Sequence, residues 1–123
     1  MQAQGNTDQS LAIQFYQNGE YDKAVELFEK LYDKNPSDFY YRYLYNSWLN
    51  TKEFDKLEKV VKRNVKKHPE ILYYLVDLGY LYKENGNIAG SQAEYSKALD
   101  KLIPDERTTR ELSNAFIAYG ENE

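Results

Sequence analysis

Asn18-Gly19-Glu20-Tyr21-Asp22-Lys23-Ala24 is the stretch that decides the fold, because it comes back. Its counterpart Thr51-Lys52-Glu53-Phe54-Asp55-Lys56-Leu57 stands 33 positions later, and Asn85-Gly86-Asn87-Ile88-Ala89-Gly90-Ser91 follows after 34 more. A last partial copy, Tyr119-Gly120-Glu121-Asn122, comes another 34 along. Pro36, Pro69 and Pro104 mark the ends of three complete units. A period of this size means stacked supersecondary units, each burying its apolar face against the next.

Within a unit the apolar spacing is helical. Leu11, Phe15, Ala24, Phe28 and Leu31 recur at three or four positions on either side of a break, which is the spacing of one helix face. Gly19 supplies the break, since glycine enters the left-handed conformation that ends a helix. Pro36 closes the second helix and restricts Asn35, after which Ser37 or Asp38 can cap the next one. The unit is helix, tight turn, helix, breaker. Helices are expected near 7–18, 21–34, 37–50, 54–67, 70–84, 88–102 and 106–119, with residues 1–6 a disordered tail.

The pattern resembles the tetratricopeptide repeat. The first unit matches it with Leu11, Ala12, Phe15, Gly19, Tyr21, Ala24, Phe28 and Pro36. The third matches with Leu78, Gly79, Tyr82, Gly86, Ser91, Tyr95 and Ala98, its Pro104 displaced by one. In the second, Leu44, Trp48, Phe54 and Pro69 fit, while Tyr45, Leu57 and Asn64 replace small residues and are expected to widen or rotate the local packing. A fourth first helix carries Leu112, Ser113, Phe116 and Gly120. The resemblance covers residues 7–123. It implies an all-α, right-handed α-α superhelix of antiparallel helix pairs, about seven helices in three full repeats and a half.

The same resemblance implies a concave groove, lined by the first helices, that holds a peptide segment or partner domain. Its positions fall on Gln9, Ile13, Tyr16 and Gln17, then Phe39, Arg42, Asn46, Leu49 and Asn50. Tyr73, Val76, Tyr80 and Lys83 follow, then Arg110, Asn114 and Ile117. Tyr and Arg supply large contacts, and Asn bonds a peptide backbone whatever its sequence. Family members that clamp a terminal carboxylate use Lys, Asn and Arg. The corresponding positions here are Gln9, Ile13, Tyr43, Tyr73 and Asp77, which argues against that specialisation.

Composition narrows the classes. Aromatic residues reach 15%, 13 of them tyrosine, against the aromatic poverty of disordered chains. The formal net charge of −4 gives no general attraction to nucleic acid. With no Cys, thiolate chemistry and Cys-ligated zinc are excluded. No apolar run approaches the roughly 18–20 residues of a membrane span. His68, the single histidine, stands before Pro69 and reads as a helix-end residue rather than a ligand or base. Without a phosphate loop, nucleophile motif or ligand cluster, the expectation is a non-enzyme with no cofactor and no metal.

Lys56, Lys59, Lys62, Arg63, Lys66 and Lys67 form a basic stripe at three- and four-residue spacing, interrupted by Glu58. It is either a solvated helix face or a contact for phosphates or an acidic partner. The leading reading is a protein-interaction scaffold. A nucleic-acid-binding repeat using that stripe, and a spacer or oligomerisation module of a longer exported protein, are the alternatives. The fourth unit stops where its second helix is due: either the helix carrying Leu112 and Phe116 is the natural cap, or, the leading expectation, the chain is the N-terminal part of a longer protein, with self-association through its last helix. Met1-Gln2-Ala3-Gln4-Gly5 reads as the remnant after a secretory cleavage site, giving an exported or periplasmic location, or as a plain tail of a cytoplasmic protein.

Overall fold

The structure, a computed structural model, describes residues 2–102, with side chains from Thr7 onward. Among the described residues there are six helices and no strand: α1 (Gln2–Gln17), α2 (Tyr21–Lys34), α3 (Asp38–Thr51), α4 (Phe54–Lys67), α5 (Tyr73–Glu84) and α6 (Ile88–Asp100). The chain divides into two compact units, residues 1–57 and 58–123, parted within α4. In the first, α1 packs on α2 and α2 on α3; in the second, α5 packs on α6. The seventh helix expected over 106–119, and with it Pro104, lies outside the described residues.

The recurring stretch is a recurring hydrogen-bonded turn. Glu20 N–H donates to the Phe15 carbonyl at 2.8 Å and Gly19 N–H to Tyr16 at 3.1 Å. Glu53 N–H donates to Trp48 at 3.0 Å with Lys52 N–H to Leu49 at 3.3 Å, and Asn87 N–H to Tyr82 at 2.8 Å with Gly86 N–H to Lys83 at 3.0 Å. Each is a Schellman closure, satisfying carbonyls that the ending helix leaves orphaned. The closure needs a left-handed residue at its tip. Gly19 (φ 78°) and Gly86 (φ 84°) take that conformation freely, whereas Lys52 is forced into it at φ 61°. A side chain there costs about 1–2 kcal/mol.

Helix starts follow the capping chemistry. Ser37 Oγ accepts from Tyr40 N–H at 3.3 Å, so Ser37 and not Asp38 caps α3. Asn87 Oδ1 accepts from Gly90 N–H at 2.9 Å and caps α6. Two expected boundaries move. Residues 2–6, read as a tail, lie within α1. The start expected near 70 moves to Tyr73, because residues after Pro69 first make a turn, with Ile71 N–H donating to the His68 carbonyl at 3.0 Å.

In the first unit the core is Ala12, Ala24, Val25, Phe28, Leu31, Tyr32, Tyr41, Leu44, Tyr45 and Trp48, all buried. Leu11, expected on the buried face, is 39% exposed. α1 turns its Ala12 face inward, leaving Leu11 beside Thr7, Ser10 and Gln14 on an open hollow. In the second unit Leu75, Val76, Tyr95 and Ala98 form a cluster against which Val65 and Leu102 pack. At Gly79, α5 lies close against α6: a Cβ there would lie 2.5 Å from a ring carbon of Tyr95. The residues that replace small ones in the second repeat, Tyr45, Leu57 and Asn64, are all buried.

Candidate interaction face

The candidate face lies on α1 and α3, within the first unit. Phe39 and Tyr43 are one helical turn apart on α3, and their rings meet edge-on at 5.3 Å. Phe39 also meets Tyr40 at 5.5 Å. Tyr43 lies flat on the buried ring of Phe28 from α2, at 4.8 Å and an interplanar angle of 7°. Tyr16, near the end of α1, sets its ring edge-to-face with Tyr43 at 4.9 Å and with Tyr21 at 5.4 Å. These are the offset and edge geometries that ring quadrupoles favour. The network therefore runs from a buried anchor, Phe28, to a half-exposed tip, Phe39, whose exposure is 50%.

Polar groups flank the rings. Tyr40 Oη donates to Gln9 Oε1 at 2.7 Å and ties α3 to α1. Gln17 is exposed beside Tyr16, and Ile13 is half-buried. Asn46 is half-buried, and its side-chain amide has no partner among the described residues. Asn50 turns back on its own helix, Nδ2 donating to the Asn46 carbonyl at 2.8 Å, and Leu49 is half-buried. Arg42 is engaged differently: its guanidinium lies 5.0 Å over the Tyr41 ring and 5.7 Å over Tyr45, held by cation–π attraction along α3.

The positions expected on α5 fare unequally. Tyr73 is exposed and its ring lies 4.8 Å from that of Tyr74. Tyr80 and Lys83 are half-buried, and both are engaged in contacts. Val76 is completely buried in the cluster with Leu75, Tyr95 and Ala98, so it packs and does not meet a ligand. Asp77 is likewise fully buried. Arg110, Asn114 and Ile117 lie outside the described residues. Sequence reasoning left Tyr40 out of the groove and met Tyr43 only as a clamp position. The three- to four-residue spacing of Phe39, Tyr43 and Asn46 was the signal available for Tyr43.

The basic stripe on α4 resolves into two kinds of residue. Lys56 faces Glu53 at 3.9 Å and Lys62 faces Glu58 at 3.2 Å. Lys59, Arg63, Lys66 and Lys67 are exposed and make no salt bridge among the described residues. Glu58 is taken up on the other side by Tyr82, whose Oη donates to it at 2.6 Å. That hydrogen bond, ahead of the one from Lys62, holds the Glu58 carboxyl below its ordinary value. Burial, then the hydrogen bond to Glu58 and its charge, pushes the Tyr82 phenol up. His68 Nδ1 lies 3.8 Å from Glu70, both exposed. Among the described residues no group of three His, Cys, Asp or Glu is placed to hold a metal, and no helix is long and apolar enough to cross a membrane.

Compared with known proteins, the chain matches no family model and no curated protein.

Proposed function

We propose that the chain is a tetratricopeptide-type helical array that serves as a non-catalytic interaction scaffold, gripping a peptide segment of a partner protein on the α1–α3 face. The repeat reading is supported by three turns of one hydrogen-bond pattern at one period, each followed by a helix. The function rests on one observation: Phe39 is held half-exposed by two ring contacts, above a stack that ends in the buried Phe28. An exposed ring whose orientation is already fixed loses little freedom when a ligand covers it, which is what makes an aromatic binding anchor effective. The amide of Asn46, two turns along α3, is available to a peptide backbone.

Selection of a displayed random-peptide library on the chain tests this. Peptides that are recovered should bind the Phe39→Ala/Asn46→Ala variant at least about ten-fold more weakly, the loss of roughly one anchor. Circular dichroism should be unchanged, because both side chains are at most half-buried. Equal affinity for the variant, or no enriched peptide at all, would remove the face from consideration.

A further inference from the structure

The charged residues of α2 sort themselves by face. Asp22, Glu26, Glu29 and Asp33 recur at offsets of four, three and four, so they share an arc of about 60° on the helix. On α4, Lys59, Arg63, Lys66 and Lys67 share an arc of about 100°. Seven of the eight are exposed and Glu29 is half-buried. None makes a salt bridge among the described residues. Lys23, Lys56, Lys62 and Lys97 each face a carboxylate three or four positions away, whereas Lys30, Lys34, Lys52 and Lys101, like the α4 row, make no salt bridge among the described residues. Helix dipoles favour Asp22 in a first turn and Lys66 and Lys67 in a last turn. They give no reason for Glu26, Glu29, Lys59 or Arg63 in mid-helix.

The two rows also match in spacing. Asp22, Glu26 and Glu29 follow the same offsets as Lys59, Arg63 and Lys66, standing at about 0, 6 and 10.5 Å along their axes. Two parallel helices carrying these rows can therefore lie alongside one another with these three pairs of opposite charges at matching heights, while Asp33 and Lys67, at about 16.5 and about 12 Å, fall out of step. We propose that the acidic row of α2 binds the basic row of α4 on a second copy of this chain, a self-association distinct from the peptide-binding face. A contact between two different surfaces is either reciprocated in a closed dimer or repeated through further copies. Exposed ion pairs are individually weak, so the association belongs to high protein concentration and low salt.

Sedimentation velocity on the intact chain tests this at about 0.01 M and about 1 M salt, where the screening length is about 30 and about 3 Å. Self-association at the lower salt should vanish at the higher. Glu26→Lys/Glu29→Lys should weaken it at least ten-fold, and so should Arg63→Glu/Lys66→Glu. The four substitutions together should restore it, since both rows then carry the opposite sign at these positions and attract one another again. Net charge alone makes the opposite forecast for the first variant. Each reversal adds two to −4, leaving no net charge to keep copies apart. Tighter association of that variant, association indifferent to salt, or failure of the combined variant would overturn the pairing. A chain that stays monomeric at low salt yet is retained on immobilised poly-glutamate would overturn it too, assigning the basic row to a foreign acidic partner. Circular dichroism of each variant separates these outcomes from unfolding.

Discussion

Two sets of tyrosines, one in each unit, serve opposite purposes. In the first, Tyr16, Tyr40 and Tyr43 join Phe28 and Phe39 in one network that climbs from the core to the surface. In the second, Tyr95 closes the α5–α6 contact by lying against Gly79, and Tyr82 spends its hydroxyl on Glu58. A ring surrounded by other rings can be left partly exposed because its neighbours fix its orientation. A ring pressed on a glycine backbone is committed to packing. One period of sequence can thus specify a partly exposed aromatic face in one place and a close-packed joint in another.

Phe28→Ala should be the most damaging change, since it removes the buried anchor on which Tyr43 stacks. A loss of about 3–5 kcal/mol is expected in chemical denaturation. Phe39→Ala, at the exposed end of the same network, should stay within about 0.5 kcal/mol of the parent. If both cost the same, the network is core throughout and its tip is no binding anchor.

Gly79→Ala probes the other unit. The added methyl meets the Tyr95 ring, at a cost of about 1–3 kcal/mol, offset by about 1 kcal/mol of improved helix propensity. A net loss in melting experiments is expected. A net gain would show that the Tyr95 ring moves aside freely and that the joint is loose.

Tyr82→Phe should cost about 1 kcal/mol near neutral pH by deleting the hydrogen bond to Glu58. The sign of its pH dependence follows from the lowered Glu58 value. A carboxyl depressed in the folded state contributes stability above its ordinary value of 4.5 and loses it as pH falls through the folded value. The gap between parent and variant should therefore narrow on acidification. A gap independent of pH would mean that Tyr82 acts by packing alone.

Lys52→Gly should be the one favourable change. It gives the middle turn the residue that its neighbours already have, for a gain of about 0.5–1 kcal/mol. No gain would mean that the Lys52 side chain repays its strained backbone through contacts of its own.

Much of this was open to reading from the sequence. The Asn-Gly and Pro positions punctuate the helices because a left-handed residue and a ring without an N–H act locally, whatever surrounds them. The turn at Lys52 was legible only through its place in the period, since lysine carries no such signal. Leu11 and Val76 show the limit for side chains. Both are apolar at positions of helical spacing, yet Leu11 is exposed while Val76 is completely buried. Periodicity names a face without naming what lies opposite.

The candidate face divides along the same line. Helical spacing placed Tyr16, Phe39 and Asn46 on helices, and the resemblance to the tetratricopeptide repeat put them on one expected face. It gave no sign that Tyr40 would bond Gln9, or that Tyr43 would stack flat on Phe28, residues 31 and 15 positions apart. Whether a ring becomes core, anchor or surface depends on the distance and angle between helices that meet only when the chain folds. The sequence by itself determined where helices begin, turn and end, through backbone preferences local to a few residues. The tertiary structure decided which aromatic side chains meet, which carboxylates and lysines find partners, and which stay exposed.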